Sequence, residues 1–154
     1  MIAVRTAWLG VLVLALAACG DGTATDPGTS NPDLAAARQR WADAGMVSYQ
    51  YTLRTLCFCF PESPITITVK GGAVESAIYA DTGAPTTPQR LATVPTMDRL
   101  FGVIEEAYSR NAAKVSVRYH PTLGYPEEIA IDYYAQGADD EIGYFVSGFQ
   151  QGGP

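Results

Sequence analysis

From Val47 to Cys59 the odd positions read Val, Tyr, Tyr, Leu, Thr, Cys, Cys, while Ser48, Gln50, Thr52 and Arg54 face the other way. Alternation of period two predicts a strand with one buried face. Pro61-Glu62-Ser63-Pro64 breaks it, and Ile65, Ile67 and Val69 then alternate with Thr66, Thr68 and Lys70. Gly71-Gly72 tolerates the positive φ angles of a tight hairpin, so Ala73–Ala80 returns as a third strand. The pattern recurs later with Val115, Val117 and Tyr119, with Ile129, Ile131 and Tyr133, and with Ile142, Tyr144 and Val146. Turns at His120–Pro126, and through Gln136-Gly137 and Asp139-Asp140, separate these three strands.

Two segments follow helical spacing instead. Asn31-Pro32-Asp33 opens the first: Asn31 caps, Pro32 suits the first helical position and Asp33 complements the dipole. Leu34, Ala37, Arg38 and Trp41 share a face, Trp41 is the anchor, and Gly45 stops the helix. Thr96 caps the second, with Met97, Leu100, Phe101, Ile104 and Tyr108 on one side and Asn111 as its left-handed exit. Asp81–Pro95, with Pro85, Pro88 and Pro95, reads as a loop, and the tail from Gly148 reads as loose. The order is helix, three strands, helix, three strands. Short connections favour antiparallel pairing, and half-apolar strands favour one packed and one wet face. The expected fold is α+β, a two-layer domain over residues 31–149 with an antiparallel six-stranded sheet and two helices on one face.

Residues 1–18 carry a different pattern. Arg5 supplies one positive charge, Ala7–Leu16 is apolar, and the run is shorter than the ~20 residues of a membrane-spanning helix. Leu16-Ala17-Ala18-Cys19 resembles the bacterial lipobox, in which the cysteine is lipidated and the signal peptide is cut just before it. Two or three acyl chains, at ~0.8 kcal/mol per buried methylene, hold essentially permanently. This predicts a lipid-anchored cell-envelope protein with the membrane as a partner through Cys19. Asp21 resembles an inner-membrane retention signal of enteric bacteria, a rule that is not general, so the choice between inner and outer membrane stays open. Residues 19–30 lack any large apolar side chain and read as a disordered tether, and residues 150–154 read as a loose tail.

Charge removes some function classes. Of the 10 basic residues Arg5 lies in the signal, which leaves nine against 16 acids, scattered singly except for Arg38 and Arg40. Nucleic acid binding needs a basic stripe and a polybasic lipid surface needs a cluster; neither is present.

Several features in order resemble the bacterial lipoprotein family called domain of unknown function 6174. They are Trp41 ahead of Tyr49-Gln50-Tyr51, then Cys57-Phe58-Cys59, Gly124-Tyr125-Pro126, Ile131-Asp132, and Asp139-Asp140-Glu141 before a closing strand. The likeness spans Trp41 to Phe149. It departs after Tyr119, where His120 and Leu123 replace an acidic and an aromatic residue. The resemblance implies a secreted, often lipidated domain and carries no known activity.

Cys57 and Cys59 remain as an even pair in an oxidising compartment. Residues two apart in a regular strand have Cα atoms ~6.6 Å apart, at the limit of disulfide geometry, so a bridge requires a kink at Phe58. A structural disulfide, two reduced or metal-binding thiols, and a redox-active pair all stay open. His120, the lone histidine, reads as an exposed turn residue, and no Gly-x-Ser-x-Gly turn accompanies it. Asp132, Asp139, Asp140 and Glu141 are weak calcium candidates without the Asp-x-Asp-x-Asp-Gly spacing, and turn formation accounts for them equally. Most aromatics belong to inward faces. Tyr125, Tyr134 and Phe145 fall elsewhere and mark a recognition surface if the fold gathers them. No cofactor loop is present. The sequence favours a non-catalytic binding or interaction domain for an envelope protein or small ligand. A thiol-disulfide protein using Cys57 and Cys59 is the alternative, and an inhibitor of a secreted enzyme a third.

Overall fold

A computed structural model of the chain describes residues 31–59, 62–137 and 139–152. Arg5, Cys19 and Asp21 lie outside the described residues, as do the readings of a signal peptide and tether. Helix α1 (Pro32–Ala44) starts as its sequence predicts, with Asn31 Oδ1 accepting the N–H groups of Asp33 and Leu34. It ends at Gly45, whose φ of 60° is left-handed. Three strands follow: β1 (Tyr49–Cys57), β2 (Ile65–Lys70) and β3 (Ala73–Tyr79). A short helix α2 (Pro88–Leu91) precedes α3 (Met97–Ser109), and β4 (Lys114–Tyr119), β5 (Pro126–Asp132) and β6 (Ile142–Gln151) complete the chain. Every pairing is antiparallel, in the order β3-β2-β1-β6-β5-β4. The two meanders therefore join at the centre, where the first strand pairs with the last.

Helices α1 and α3 cover one face. Leu34, Ala37 and Trp41 from α1 and Met97, Leu100, Phe101, Ile104 and Ala107 from α3 are buried against Tyr49, Tyr51, Leu53, Ile65, Ile67, Val69, Ile129 and Ile131. Trp41 meets the rings of Tyr49, Tyr125 and Phe149 edge-on at 5.3, 6.2 and 6.0 Å. Each such pair adds roughly 0.5–1.5 kcal/mol beyond burial itself. Buried phenols find partners: Tyr49 OH accepts the Met97 N–H at 3.0 Å, and Tyr51 OH donates to the Pro95 carbonyl. Burial raises the Tyr49 phenol to about 12, against the Met97 N–H that lowers it and with Asp98 adding to the rise. Tyr51, Tyr119, Tyr125 and Tyr144 are raised too, in each case chiefly by desolvation.

Four local expectations need correction. The loop Asp81–Pro95 contains α2, because Thr87 accepts the Arg90 N–H and Pro88 takes the first helical position. The tail is not loose at Gly148–Gln151: β6 runs to Gln151 and pairs with Tyr49 and Gln50 of β1. Gly148, with φ 59°, carries an irregularity in this ladder, and beyond it Phe149 turns inward, 5.6 Å from the Tyr49 ring. Val47 is 60% exposed, because β1 begins only at Tyr49. Tyr125 is core, not surface. The β4–β5 ladder skips Glu127 between the pairs Arg118–Glu128 and Tyr119–Pro126, which shifts the parity of everything before it.

Candidate functional site: the open face of the sheet

The face without helices divides into two halves. Over β1 and β2 it is a polar ladder whose side chains satisfy one another, with Ile78 of β3 an apolar neighbour: Gln50 Nε2 donates to Thr68 Oγ1 at 3.1 Å, and the hydroxyls of Thr52 and Thr66 share a hydrogen bond at 3.1 Å. Over β6, β5 and β4 register builds something else. Leu56 of β1 lies opposite Gly143, Gly143 opposite Ala130, and Ala130 opposite Ser116. Three small residues in a row across three strands make a low floor. The next row, Arg54–Phe145–Glu128–Arg118, stands above it on one side. On the other side come Lys114 and Asp132, paired across β4 and β5, with Asp139 and Glu141 from the following turn. The result is an open groove of about 710 Å³, closed at one end by Leu56, Cys57 and Phe58.

Phe145 and Gly143 depend on each other. A Cβ at Gly143 would lie 3.1 Å from Phe145 Cε2, so the missing side chain is the room the ring occupies. The Arg54 guanidinium covers that ring at 4.5 Å from its centroid. Arg118 ion-pairs with Glu127 and Glu128, which fixes the charged row above the floor. Leu56 and Phe58 keep 47% and 77% of their surface exposed. Ile78 of β3, 37% exposed, is a further large apolar side chain on this face, but it lies apart, whereas Leu56 and Phe58 join Phe145 along one groove as an apolar patch.

Cys57 and Cys59 sit at the groove's end with their sulfurs at disulfide distance and their Cα atoms 5.2 Å apart. The separation is shorter than a regular strand gives, because β1 stops at Cys57 and the chain bends at Phe58. Both cysteines are exposed.

The remaining candidates disperse. His120 Nδ1 accepts the N–H groups of Thr122 and Leu123 at 3.3 and 3.0 Å, and its ring stacks on Tyr125 at 4.8 Å: it braces the β4–β5 turn. Asp132 and Asp140 both accept the Tyr134 N–H, at 3.1 and 2.7 Å, the turn-forming role open to them from sequence. Among the described residues no three His, Cys, Asp or Glu side chains converge as metal ligands. Tyr125, Tyr134 and Phe145 are not brought together. Tyr125 is 6% exposed and stacks on Phe149 at 4.5 Å, Tyr134 is exposed on the β5–β6 turn, and Phe145 alone lines the groove. Sequence reasoning missed Leu56, Phe58, Ala130 and Gly143. The available signal was at Leu56, where the polar even positions of β1 turn apolar.

Gly124 explains a motif of the chain. Its φ is +79°, and a Cβ there would lie 2.2 Å from the Ala37 carbonyl oxygen of α1. Only glycine lets this turn touch the helix, and Tyr125 then enters the core beside Trp41. Gly124-Tyr125-Pro126 is thus an architectural element on the covered face.

An open antiparallel sheet with helices on one face and a groove on the other defines a two-layer α+β domain. The chain belongs to the family of unknown function DUF6174, whose family model matches residues 33–151. That match runs from the first turn of α1 to the last residue of β6. No curated protein and no solved structure matches the chain.

Proposed function

We propose that the chain is a lipid-anchored envelope protein, tethered through Cys19, whose domain is a non-catalytic binding module using the open face of the sheet. One observation carries the reading: the groove beside Leu56, Phe58 and Phe145 leaves apolar surface in water on the face that packing does not use. The neighbouring half of the same face carries instead the self-satisfied ladder of Gln50, Thr52, Thr66 and Thr68. The anchor rests on the lipobox-like Leu16–Cys19 and predicts that Cys19→Ser releases a folded domain into the soluble fraction.

The binding face is tested by photo-cross-linking in intact cells, with a photoreactive residue placed at position 58 or 145 and, as a comparison, at the exposed Ser76 of β3. Adducts from the groove positions and none from position 76 support the reading; equal yields contradict it. A second reading has its own observation. The exposed Cys57–Cys59 pair is accessible to thiols, which a thiol-disulfide protein requires. Equilibration with glutathione separates the two: a pair that stays fully oxidised or fully reduced across the buffer range excludes redox exchange.

A further inference from the structure

The lining of the groove joins two kinds of surface, and the combination identifies an occupant. Leu56, Phe58 and Phe145 supply hydrocarbon. Asp132, Asp139 and Glu141 supply negative charge, with Lys114 the one base among the lining residues, an excess of two carboxylates. Among the described residues the glutamates outside the groove are each matched, Glu62 by Arg90, Glu75 by Lys70, Glu105 by Arg38, Glu106 by Arg110, and Glu127 and Glu128 by Arg118, whereas Asp33, Asp43, Asp81, Asp98 and Asp140 join no ion pair. Among the described residues no ion pair includes Asp132, Asp139 or Glu141. Asp132 has one oxygen engaged by the Tyr134 N–H, whereas Asp139 and Glu141 are exposed at the rim.

We propose that the groove binds a small amphipathic cation, a molecule with a hydrocarbon body ending in an ammonium group. This deepens the binding reading above and rests on it. The body lies over the floor at Gly143 and Ala130 against Leu56 and Phe145, and the ammonium reaches the unmatched carboxylates of Asp139 and Glu141. Aromatic surface adds to the charge. Arg54 already occupies the ring of Phe145, while Phe58, 77% exposed, offers its π-surface to a further cation. Size agrees, since about 710 Å³ falls among small-molecule sites, typically roughly 300–1,000 Å³. An anionic ligand of the same shape meets the carboxylate excess and is rejected.

Calorimetric titration of the Cys19→Ser chain tests this, because that chain keeps the whole domain and lacks the lipid that would absorb the probes. The probes are phenylbutylamine, phenylbutanol and phenylbutyrate, which share a hydrocarbon body and differ in charge. The amine is expected to saturate a single site, about tenfold tighter than the alcohol, with the acid weakest. Asp139→Asn combined with Glu141→Gln should bring the amine down to the alcohol, and Phe58→Ala should weaken it without altering the fold by circular dichroism. Equal binding of amine and acid, no saturable amine binding, or amine binding indifferent to these substitutions overturns the proposal. Groove-specific cross-linking without amine binding removes the cation and leaves the binding face; loss of both removes the face.

Discussion

The two faces of one sheet obey different rules. On the covered face every large side chain is engaged: Trp41 is ringed by Tyr49, Tyr125 and Phe149, and even the phenol oxygens of Tyr49 and Tyr51 are hydrogen-bonded. On the open face one half satisfies itself through threonine and glutamine, and the other half leaves Leu56 and Phe58 in water around a floor of Gly143, Ala130 and Ser116. The contrast teaches where stability and recognition reside. Packing density on one side lets the other carry an apolar groove that contributes little to folding.

That separation can be broken experimentally. Trp41→Ala should lose the most, about 3–5 kcal/mol of unfolding free energy in a denaturant titration, because it empties the contact point of three rings. Gly124→Ala should cost about 2 kcal/mol or more, from its left-handed φ and the approach to Ala37. A near-neutral result there would mean that the β4–β5 turn is not pressed against α1.

Alkali should attack the covered face next. A phenol raised on folding keeps its proton in the folded chain after the unfolded chain has lost its own. Its stabilisation is therefore full below pH 10.0 and falls as pH climbs towards about 12, the value of Tyr49. Tyr51, Tyr119, Tyr125 and Tyr144 shift the same way and steepen the loss. A pH titration of the melting temperature that stays flat above pH 10.0 would contradict their burial.

Changes on the open face should be smaller. Reducing the Cys57–Cys59 pair opens a ring of three residues, so the chain-entropy effect stays under about 2 kcal/mol. Phe58→Ala should stay within about 0.5 kcal/mol of the parent in the same titration. A large destabilisation by Phe58→Ala would make that ring part of the core and undo the contrast.

What was legible in the sequence was local. Period-two alternation located five of the six strands, the Gly71-Gly72 turn located β3, and caps at Asn31 and Thr96 located the two long helices. The short α2 escaped because four residues are too few to show a period. Irregularities were the larger loss. An extra residue at Glu127, and a left-handed Gly148, exchange the two faces of a strand, so Tyr125 and Phe149 end in the core although alternation places them elsewhere. The groove was illegible for a different reason. Leu56, Gly143, Ala130 and Ser116 become neighbours only through the pairing of β1 with β6 and of β6 with β5, and strand order is not a property of any local window.

The most direct measurement is an amide chemical-shift map of the Cys19→Ser chain titrated with phenylbutylamine. Perturbations are expected to concentrate at Leu56, Phe58, Ala130, Gly143 and Phe145, with Gln50, Thr52, Thr66 and Thr68 silent. Shifts centred on the ladder or on the helices, or none at all at saturating amine, would contradict binding in the groove.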